Sequence, residues 1–192
     1  MELILQADSA ALLWIQENIR NDFLTPVVRV ITHSADKGIL WIILLLVLMC
    51  FERTRKTAFL TSVVLLLTFA VTNLWLKPAV ARIRPYEVID TLTILIPKPS
   101  DFSFPSGHTA NSMAVGITLW IIGISKQKSG YGKLYFPKSA GWVVLVLSVM
   151  ISLSRLYLGV HYPTDVLGGF IIASVISVIC ILIYRKIFPD NT

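Results

Sequence analysis

Residues 164–184 read TDVLGGFIIASVISVICILIY, an apolar run that contains one charged side chain, Asp165. A membrane-spanning helix needs about 20 mostly apolar residues, so this run predicts one helix that crosses a bilayer. Three further segments meet the same requirement, at about 58–76, 107–124 and 139–157. A fifth segment, 36–51, is short for a span and is the weakest of the five; Asp36 is predicted to cap its start.

The composition agrees with several spans. The chain has 192 residues, of which 55% are hydrophobic and 15% charged, and its mean hydropathy is +0.74. Soluble domains carry roughly 25% charged residues, and the composition excludes a disordered chain, a collagen-like fibre and a secreted disulfide scaffold. Cys50 and Cys180 lie in apolar runs, where cysteine behaves as a small hydrophobic residue. Because no linker or repeat divides the sequence, residues 1–192 are predicted to form one integral-membrane domain.

The first 35 residues differ from the predicted spans. Between residues 8 and 33, apolar side chains fall near one helical face and polar side chains lie opposite them. The apolar set comprises Leu12, Leu13, Ile15, Ile19 and Phe23, and the polar set Asp8, Gln16, Glu17, Arg20 and Asn21. This pattern predicts amphipathic helices in the membrane interface, with Pro26 in the first turn of the second. The alternative is a sixth, tilted span, so the predicted fold is an all-α membrane bundle of five spans, or six.

The distribution of Lys and Arg predicts the orientation of these spans. With five spans, nine Lys/Arg fall on one set of segments, 53–56, 125–138 and the tail from 185, and five fall on 77–106 and 155–163. Loops rich in Lys and Arg stay on the cytoplasmic side, so residues 77–106 and 155–163 are predicted to face outward. The net charge of +6 then indicates charged loops against a membrane or an anionic substrate, more than a nucleic-acid partner.

Polar residues gather in three clusters at span ends on this outward side. The clusters read KPAVARIRP at residues 77–85, FPSGHT at 104–109 and SRLYLGVHYPTD at 154–165. A Lys or Arg at a span end most often extends to lipid headgroups; this interpretation fits Arg82 best and is an alternative for Lys77 and Arg155. Lys77 and Arg84 are two helical turns apart, so both reach one anion if the stretch between them is helical.

The second cluster combines a helix start with a histidine. Ser106 is a good N-cap for the third span, and a capped helix start is a sufficient structural explanation for Ser106 and Gly107. The functional interpretation is that Gly107 lets the backbone approach a ligand, with the first N–H groups of the helix pointing at an anion. His108, in the same turn, is then placed to donate a proton.

The third cluster pairs a histidine with a carboxylate. Pro163 fits the first turn of the last span, which places His161 just before the helix and Asp165 inside it. Asp165 can accept a hydrogen bond from one imidazole nitrogen and leave the other free as a nucleophile, or it merely complements the helix dipole. A zinc site at His108 and His161 is a further alternative, but no cysteine or ligand spacing supports it. The surrounding cations favour a bound anion.

In this order, Lys-x6-Arg-Pro, Pro-Ser-Gly-His and Ser-Arg-x5-His-x3-Asp match, without substitution, the three-part signature of the type 2 phosphatidic acid phosphatase superfamily. The chain resembles this superfamily, which includes lipid-phosphate phosphatases, glucose-6-phosphatase and vanadium haloperoxidases. The motifs occupy residues 77–165, and the span that follows completes the superfamily's helical core. The short length and the apolar spans resemble its small bacterial integral-membrane branch.

The resemblance implies a role for each motif residue. His161 would attack phosphorus and form a phosphohistidine, Asp165 would orient His161, and His108 would protonate the leaving oxygen and then activate water. The remaining residues would hold the phosphate oxygens, and they are Lys77, Arg84, Arg155, the Ser106 hydroxyl and the Gly107 N–H. No metal ion and no cofactor is expected, because cationic side chains take over the role of Mg²⁺.

The expected function is hydrolysis of a lipid phosphate, most specifically of undecaprenyl diphosphate at the outer face of a bacterial cytoplasmic membrane. Phosphatidic acid or phosphatidylglycerophosphate is the alternative substrate, phosphoryl transfer to another lipid is a further variant, and an anion transporter or channel is the alternative of another class. The expected partners are the lipid substrate and membrane lipids, with no nucleic acid; the oligomeric state stays open. In the outward loop 86–104, the run Thr91–Ile96 either contacts the lipid tail or packs as an ordinary buried loop.

Overall fold

The structure is a computed structural model that describes residues 2–125 and 134–189. Within these residues the regular structure is helical. The α-helices are α1 (Glu2–Asn18), α2 (Leu24–Ser34), α3 (Ile39–Met49), α4 (Glu52–Phe69), α5 (Lys77–Val80), α6 (Gly107–Ile124), α7 (Lys138–Tyr157) and α8 (Pro163–Ile187). The predicted all-α fold is therefore confirmed for the described part of the chain. Lys126, Lys128 and Lys133, three of the cations used to predict the orientation, lie outside the described residues.

Four of the five predicted spans coincide with helices of the bundle. α4 runs through a π-helical segment, Ala70–Leu76, into α5, and α6, α7 and α8 match the other three predictions closely. α6 packs against α4, α7 and α8 and is mostly buried. Its first turns carry polar side chains that lipid would not tolerate, so its neighbours shield them.

Among the residues that the structure describes, three helical segments are long and apolar enough to cross a membrane: Glu52–Glu87, Lys138–Tyr157 and Pro163–Ile187. α2 and α3 qualify only as a pair, bent by 43° at the break between them. Residues 2–125 and 134–189 therefore contain three candidate spans, or four if the bent pair is one span. The predicted count of five is not confirmed, since α6 is too polar to meet the criterion and α3 has only 11 residues.

The turn between α2 and α3 differs from its prediction. Asp36–Gly38 form a 3₁₀ turn in which Lys37 and Gly38 have φ of 54° and 73°. Gly38, with no side-chain cap, precedes α3, so the predicted cap at Asp36 is wrong. The left-handed turn instead points the Asp36 carboxylate back over the bundle, where it contacts two histidines.

The N-terminal helices lie over one end of the bundle. Pro26 lies in the first turn of α2, as predicted, and α2 packs against α7. The polar side chains of α1 and of the turn after it contact protein: Gln16 donates to the carbonyl of Thr91, and Arg20 donates to the carbonyls of Thr93 and Tyr157. The apolar residues Leu3 and Trp14 are exposed. The polar face of the amphipathic pattern therefore binds loops of the same chain.

The three polar clusters meet at this same end. α3, α6 and α8 begin there, and the α4–α5 segment and α7 end there, as the contacts among their terminal residues show. Away from this end, a core of large apolar side chains closes the bundle around Trp41, Leu119 and Ile151. Exposed Phe59, Val143 and similar residues give the bundle an apolar outer surface. The fold thus positions polar chemistry at one end of an apolar body.

Candidate active site

The first cluster reaches the site through an irregular backbone. The π-helical segment Ala70–Leu76 turns into α5, and Ala81 then reverses the chain with a φ of 47°. Arg84 follows in an extended conformation. The stretch from Lys77 to Arg84 is not one helix, so the predicted route to a common anion is wrong. The two cations converge nevertheless, because both bind Asp101.

Arg84 is buried and held from several sides. Its Nε donates to the main-chain carbonyl of Asp101 at 2.7 Å, and its Nη1 donates to the carbonyl of Val160 at 2.7 Å. Its Nη2 binds the Asp101 carboxylate, which also accepts from Lys77. Burial would raise the pKa of Asp101, but Lys77 and Arg84 outweigh it and lower this pKa to about 2. Asp101 therefore stays ionised beside both cations.

His161 and Asp165 form the predicted pair. The imidazole Nδ1 lies 3.4 Å from Asp165 Oδ2, a long contact for a hydrogen bond, and Nε2 lies 3.4 Å from Arg84 Nη1. Burial lowers the pKa of His161 to about 3; Asp165 opposes this shift and Arg84 adds to it. The imidazole is therefore neutral at physiological pH, which is the form a nucleophile requires.

Asp165 contacts both the imidazole of His161 and the backbone at the start of α8. Its Oδ2 accepts from the Tyr162 N–H at 2.9 Å, which caps the start of α8, and it also accepts from the Ser103 hydroxyl. The same oxygen faces His161. The Asp165 carboxylate is fully buried and caps the helix start, and the same oxygen lies beside the imidazole of His161.

The sequence interpretation of Arg82 as a cation that extends to lipid headgroups is wrong, because Arg82 binds two carboxylates of the protein. Its guanidinium lies 2.7 Å from Asp165 and 2.8 Å from Asp8, both buried, and stacks 3.9 Å from the ring centroid of Tyr162. Asp8 in turn accepts from the N–H of Thr164 at 3.1 Å. Arg82 thus fixes Asp165 and ties α1 to the start of α8.

Two further predicted residues lie near the same centre. Arg155 is buried at the end of α7, where its Nη1 donates to Thr32 at 2.6 Å and its Nε has no partner among the described residues. His108, in the first turn of α6, places Nε2 2.9 Å from Asp36 Oδ1. Asp36 also contacts His33, so one carboxylate bridges two imidazoles.

The start of α6 is tightly packed. Ser106 caps the helix, as predicted, by accepting from the N–H of Thr109, and it is fully buried. A Cβ at Gly107 would lie 2.8 Å from Asn73 Oδ1, and one at Gly169 would lie 2.8 Å from the Ser106 carbonyl oxygen. Glycine is therefore needed at position 169, where α8 packs against the backbone of this turn, whereas at position 107 the close neighbour is a side chain of the π-helical segment Ala70–Leu76, which is able to shift.

These side chains surround one cavity of about 730 Å³ at the end of the bundle. Of the predicted residues, it is lined by Lys77, Arg84, Gly107, His108, Arg155 and His161. Asp165 lies behind His161, and Ser106 does not line the cavity. The cavity is also lined by His33, Lys37 and the carboxylates of Asp36 and Asp101. The four cations and three imidazoles that face this space suit an oxyanion, which accepts hydrogen bonds from such donors. In residues 2–125 and 134–189, no three His, Cys, Asp or Glu side chains are grouped to hold a metal ion.

Sequence reasoning missed Asp101 and Asp36 as site residues. Asp101 is one of three acidic residues in the sequence 86–104, and only the contact with Lys77 and Arg84 distinguishes it. Asp36 was assigned to a helix cap, and the left-handed Lys37 and Gly38 that redirect it leave no clear sequence signal beyond the glycine. No nearby residue in the sequence indicates either contact.

Fold and site together define a helical membrane protein with a polar cavity, lined by buried cations and imidazoles, at one end. Residues 55–189 match the model of the PAP2 superfamily. Because the match covers most of the chain, the protein belongs to the PAP2 superfamily. The resemblance read from the three motifs is thereby confirmed.

Comparisons with individual proteins agree with this assignment. The chain is 32% identical over 143 residues to an undecaprenyl-diphosphatase of Sulfolobus acidocaldarius, covering 74% of this chain but only 63% of that protein. It is 32% identical over 157 residues to phosphatidylglycerophosphatase B of Bacillus subtilis, covering 79% of this chain and 71% of that protein. The crystal structure of a transmembrane PAP2-type phosphatidylglycerolphosphate phosphatase from Bacillus subtilis superposes with a TM-score of 0.76 at 28% identity, covering 100% of this chain and 90% of that one.

Proposed function

We propose that the protein is a membrane phosphatase that hydrolyses a lipid phosphate or diphosphate through a phosphohistidine. The observation that carries this proposal is the cavity in which a neutral, buried His161 faces Lys77, Arg84 and Arg155, with His108 on the same wall. A neutral imidazole is a nucleophile, and clustered cations stabilise a transferring phosphoryl group.

The proposed cycle has two half-reactions. In the first, the free His161 nitrogen attacks phosphorus, the bond to the leaving oxygen breaks, and His108 gives that oxygen a proton. Asp165 holds His161 and stabilises the positive charge that develops on its ring. In the second, His108 takes a proton from water, which attacks the phosphohistidine and releases inorganic phosphate. Lys77, Arg84 and Arg155 bind the phosphate oxygens in both steps, and the Gly107 N–H and Ser106 hydroxyl complete the proposed set.

A lipid substrate is supported by the position of the cavity. The bundle presents an apolar outer surface below the polar end, so the cavity opens beside the headgroup layer of a membrane. The run Ile94–Ile96 packs partly against Leu158 and Val160, which favours a buried loop over a free lipid contact; Ile96 also lines the cavity. Undecaprenyl diphosphate is the first candidate substrate and phosphatidylglycerophosphate the second, in line with the relatives of 32% identity.

Alternatives of other kinds have less support. Intramembrane charges in transporters lie mid-span or at broken helices, whereas Lys77, Arg84 and Arg155 here gather at one end of the bundle around one cavity. Phosphoryl transfer to a second lipid needs an acceptor in place of water. Nothing in the cavity favours this variant over hydrolysis.

The cavity is proposed to face outward from the cytoplasmic membrane. The bundle then has five spans that connect the two ends: α3, α6 and α8 run away from the cavity, and α4 and α7 run toward it. The cations at the cavity end are largely bound to protein: Lys77, Arg82, Arg84 and Arg155 belong to the site, and Arg20 and Arg29 donate to loop carbonyls. Arg53, Arg55 and Lys56 at the opposite end agree with a cytoplasmic position.

We expect lipid-phosphate hydrolysis by the purified protein to continue in EDTA and to be blocked by vanadate, which mimics five-coordinate phosphorus. The reason is that cationic side chains line the cavity, while the described residues offer no metal-binding group. The measurement is phosphate release in detergent from undecaprenyl diphosphate, phosphatidic acid and phosphatidylglycerophosphate, compared side by side. Loss of activity in EDTA that Mg²⁺ or Zn²⁺ restores would contradict the proposal, and no release from any lipid would favour a transporter.

Orientation has its own test with two thiols. Cys50 is exposed at the end of α3, opposite the cavity, and Ser100 is exposed beside the cavity. Two single-thiol proteins are compared. The first carries Ser100→Cys, Cys50→Ser and Cys180→Ser, and an impermeant thiol reagent should label it in intact cells. The second carries Cys180→Ser alone and keeps Cys50. The reagent should label Cys50 in the second protein only after the membrane is permeabilised. The reverse labelling pattern would place the cavity on the cytoplasmic side.

A further inference from the structure

Asp101 puts a negative charge inside the set of cations that line the cavity. Its carboxylate binds the Lys77 ammonium and the Nη2 of Arg84. The side chain of Asp101 is 51% exposed, whereas those of Lys77 and Arg84 are 7% and 4% exposed. A half-exposed carboxylate therefore pairs with two cations that have almost no access to water.

This pairing conflicts with the binding of a phosphate at the same cations. Carboxylate and phosphate oxygens use the same Lys and Arg donors, and they repel each other at contact distance. The main-chain carbonyl of Asp101 also accepts from Arg84 Nε at 2.7 Å, so the backbone stays in place while the side chain is free to rotate into solvent. The buried cations lack that freedom. When a phosphate arrives, the carboxylate is the group that moves.

We propose that Asp101 is a tethered counter-ion that competes with the substrate's phosphate for Lys77 and Arg84 and speeds the release of inorganic phosphate. The proposal rests on the phosphate site of the proposed function. Burying the charges of Lys77 and Arg84 without a negative partner would cost folding free energy. Asp101 is that partner whenever no phosphate is bound. A free phosphate held by three cations would leave slowly, and the returning carboxylate replaces it.

The test compares Asp101→Asn with a matched control. The amide keeps the size of the side chain and the main-chain contact to Arg84, and it removes only the charge. Asp90→Asn removes the same charge from an exposed residue of the same loop that touches neither cation. The probes are orthovanadate and inorganic phosphate, titrated calorimetrically into the purified protein in detergent. These measurements do not depend on lipid turnover.

We expect Asp101→Asn to bind both oxyanions about three- to tenfold more tightly, a range set by a partly exposed charge pair. Asp90→Asn should bind them like the native protein. In turnover, the KM for the lipid should fall while kcat does not rise, because product release slows. A second variant, Asp101→Ala, should show the same direction and replaces the first if the amide disturbs folding.

The outcomes separate this inference from the proposed function. Unchanged or weaker oxyanion binding in Asp101→Asn and Asp101→Ala would overturn the inference and show that the carboxylate only orients Lys77 and Arg84. Failure of the native protein to bind vanadate or phosphate at all would instead overturn the phosphate site itself. Equally tighter oxyanion binding in Asp90→Asn would also overturn the inference, because the effect would then come from the net charge of the loop.

Discussion

Replacing His161 with Ala should abolish the covalent phosphoenzyme with every substrate and lower turnover by about four orders of magnitude or more. The reason is chemical, since the variant lacks the nitrogen that bonds to phosphorus. Folding should survive, because the surrounding contacts of Asp165 with Arg82, Ser103 and the Tyr162 N–H do not use the imidazole. The measurement is acid-quench trapping of labelled phosphoenzyme from an activated phosphate ester.

The control for this experiment is His33→Ala. His33 lies at the cavity edge and contacts Asp36, but it is half exposed and has no place in the proposed cycle. It should still form the phosphoenzyme. Labelled phosphoenzyme in His161→Ala would show that another group is the nucleophile.

In the His108→Ala variant, the rate at which His161 is phosphorylated should fall according to how much the leaving group needs a proton. General acid–base help is worth about 10²–10⁴-fold. The full loss is expected for a lipid monophosphate ester, whose alkoxide is a poor leaving group. A nitrophenyl phosphate, or a lipid diphosphate that releases a lipid monophosphate, should still phosphorylate His161. The phosphoenzyme should then persist, because the same substitution removes the base that activates water.

The comparison uses both kinds of substrate in the same trapping experiment. If His108→Ala slows phosphoenzyme formation equally from the nitrophenyl and lipid esters, His108 is not the proton donor. Phosphoenzyme in His161→Ala, together with none in His108→Ala, would reverse the assignment of nucleophile and acid. Native protein with both substrates gives the reference rates.

Features determined by neighbouring residues were predictable from the sequence. Pro163 marks the start of α8, and the spacing from His161 to Asp165 brings the two side chains together at that helix start. Ser106 caps α6 for the same local reason. Four apolar runs predicted four helices of the bundle correctly, because a helix that crosses the bilayer needs about 20 apolar residues.

Features determined by distant residues were not predictable. Arg82 appears in the sequence as an ordinary cation at a span end, because its partners Asp8 and Asp165 are 74 and 83 positions away. Lys77 and Arg84 converge through a π-helical segment and a left-handed Ala81, which no periodicity indicates. In each case the deciding contact depends on how the helices pack. The sequence motif gives the residue types, and tertiary structure gives their partners.

The contact between Asp8 and Thr164 joins positions 156 residues apart, from the first helix to the last. Closing so long a loop is among the slow steps of folding. During synthesis Asp8 and Arg82 are present early, but their common neighbours at the start of α8 emerge only near the end. A chain inserted as far as α7 therefore holds Lys77, Arg84, His108 and Arg155 but lacks both His161 and Asp165. The site is completed when the final helix enters the membrane, so a partly inserted protein has no working phosphatase.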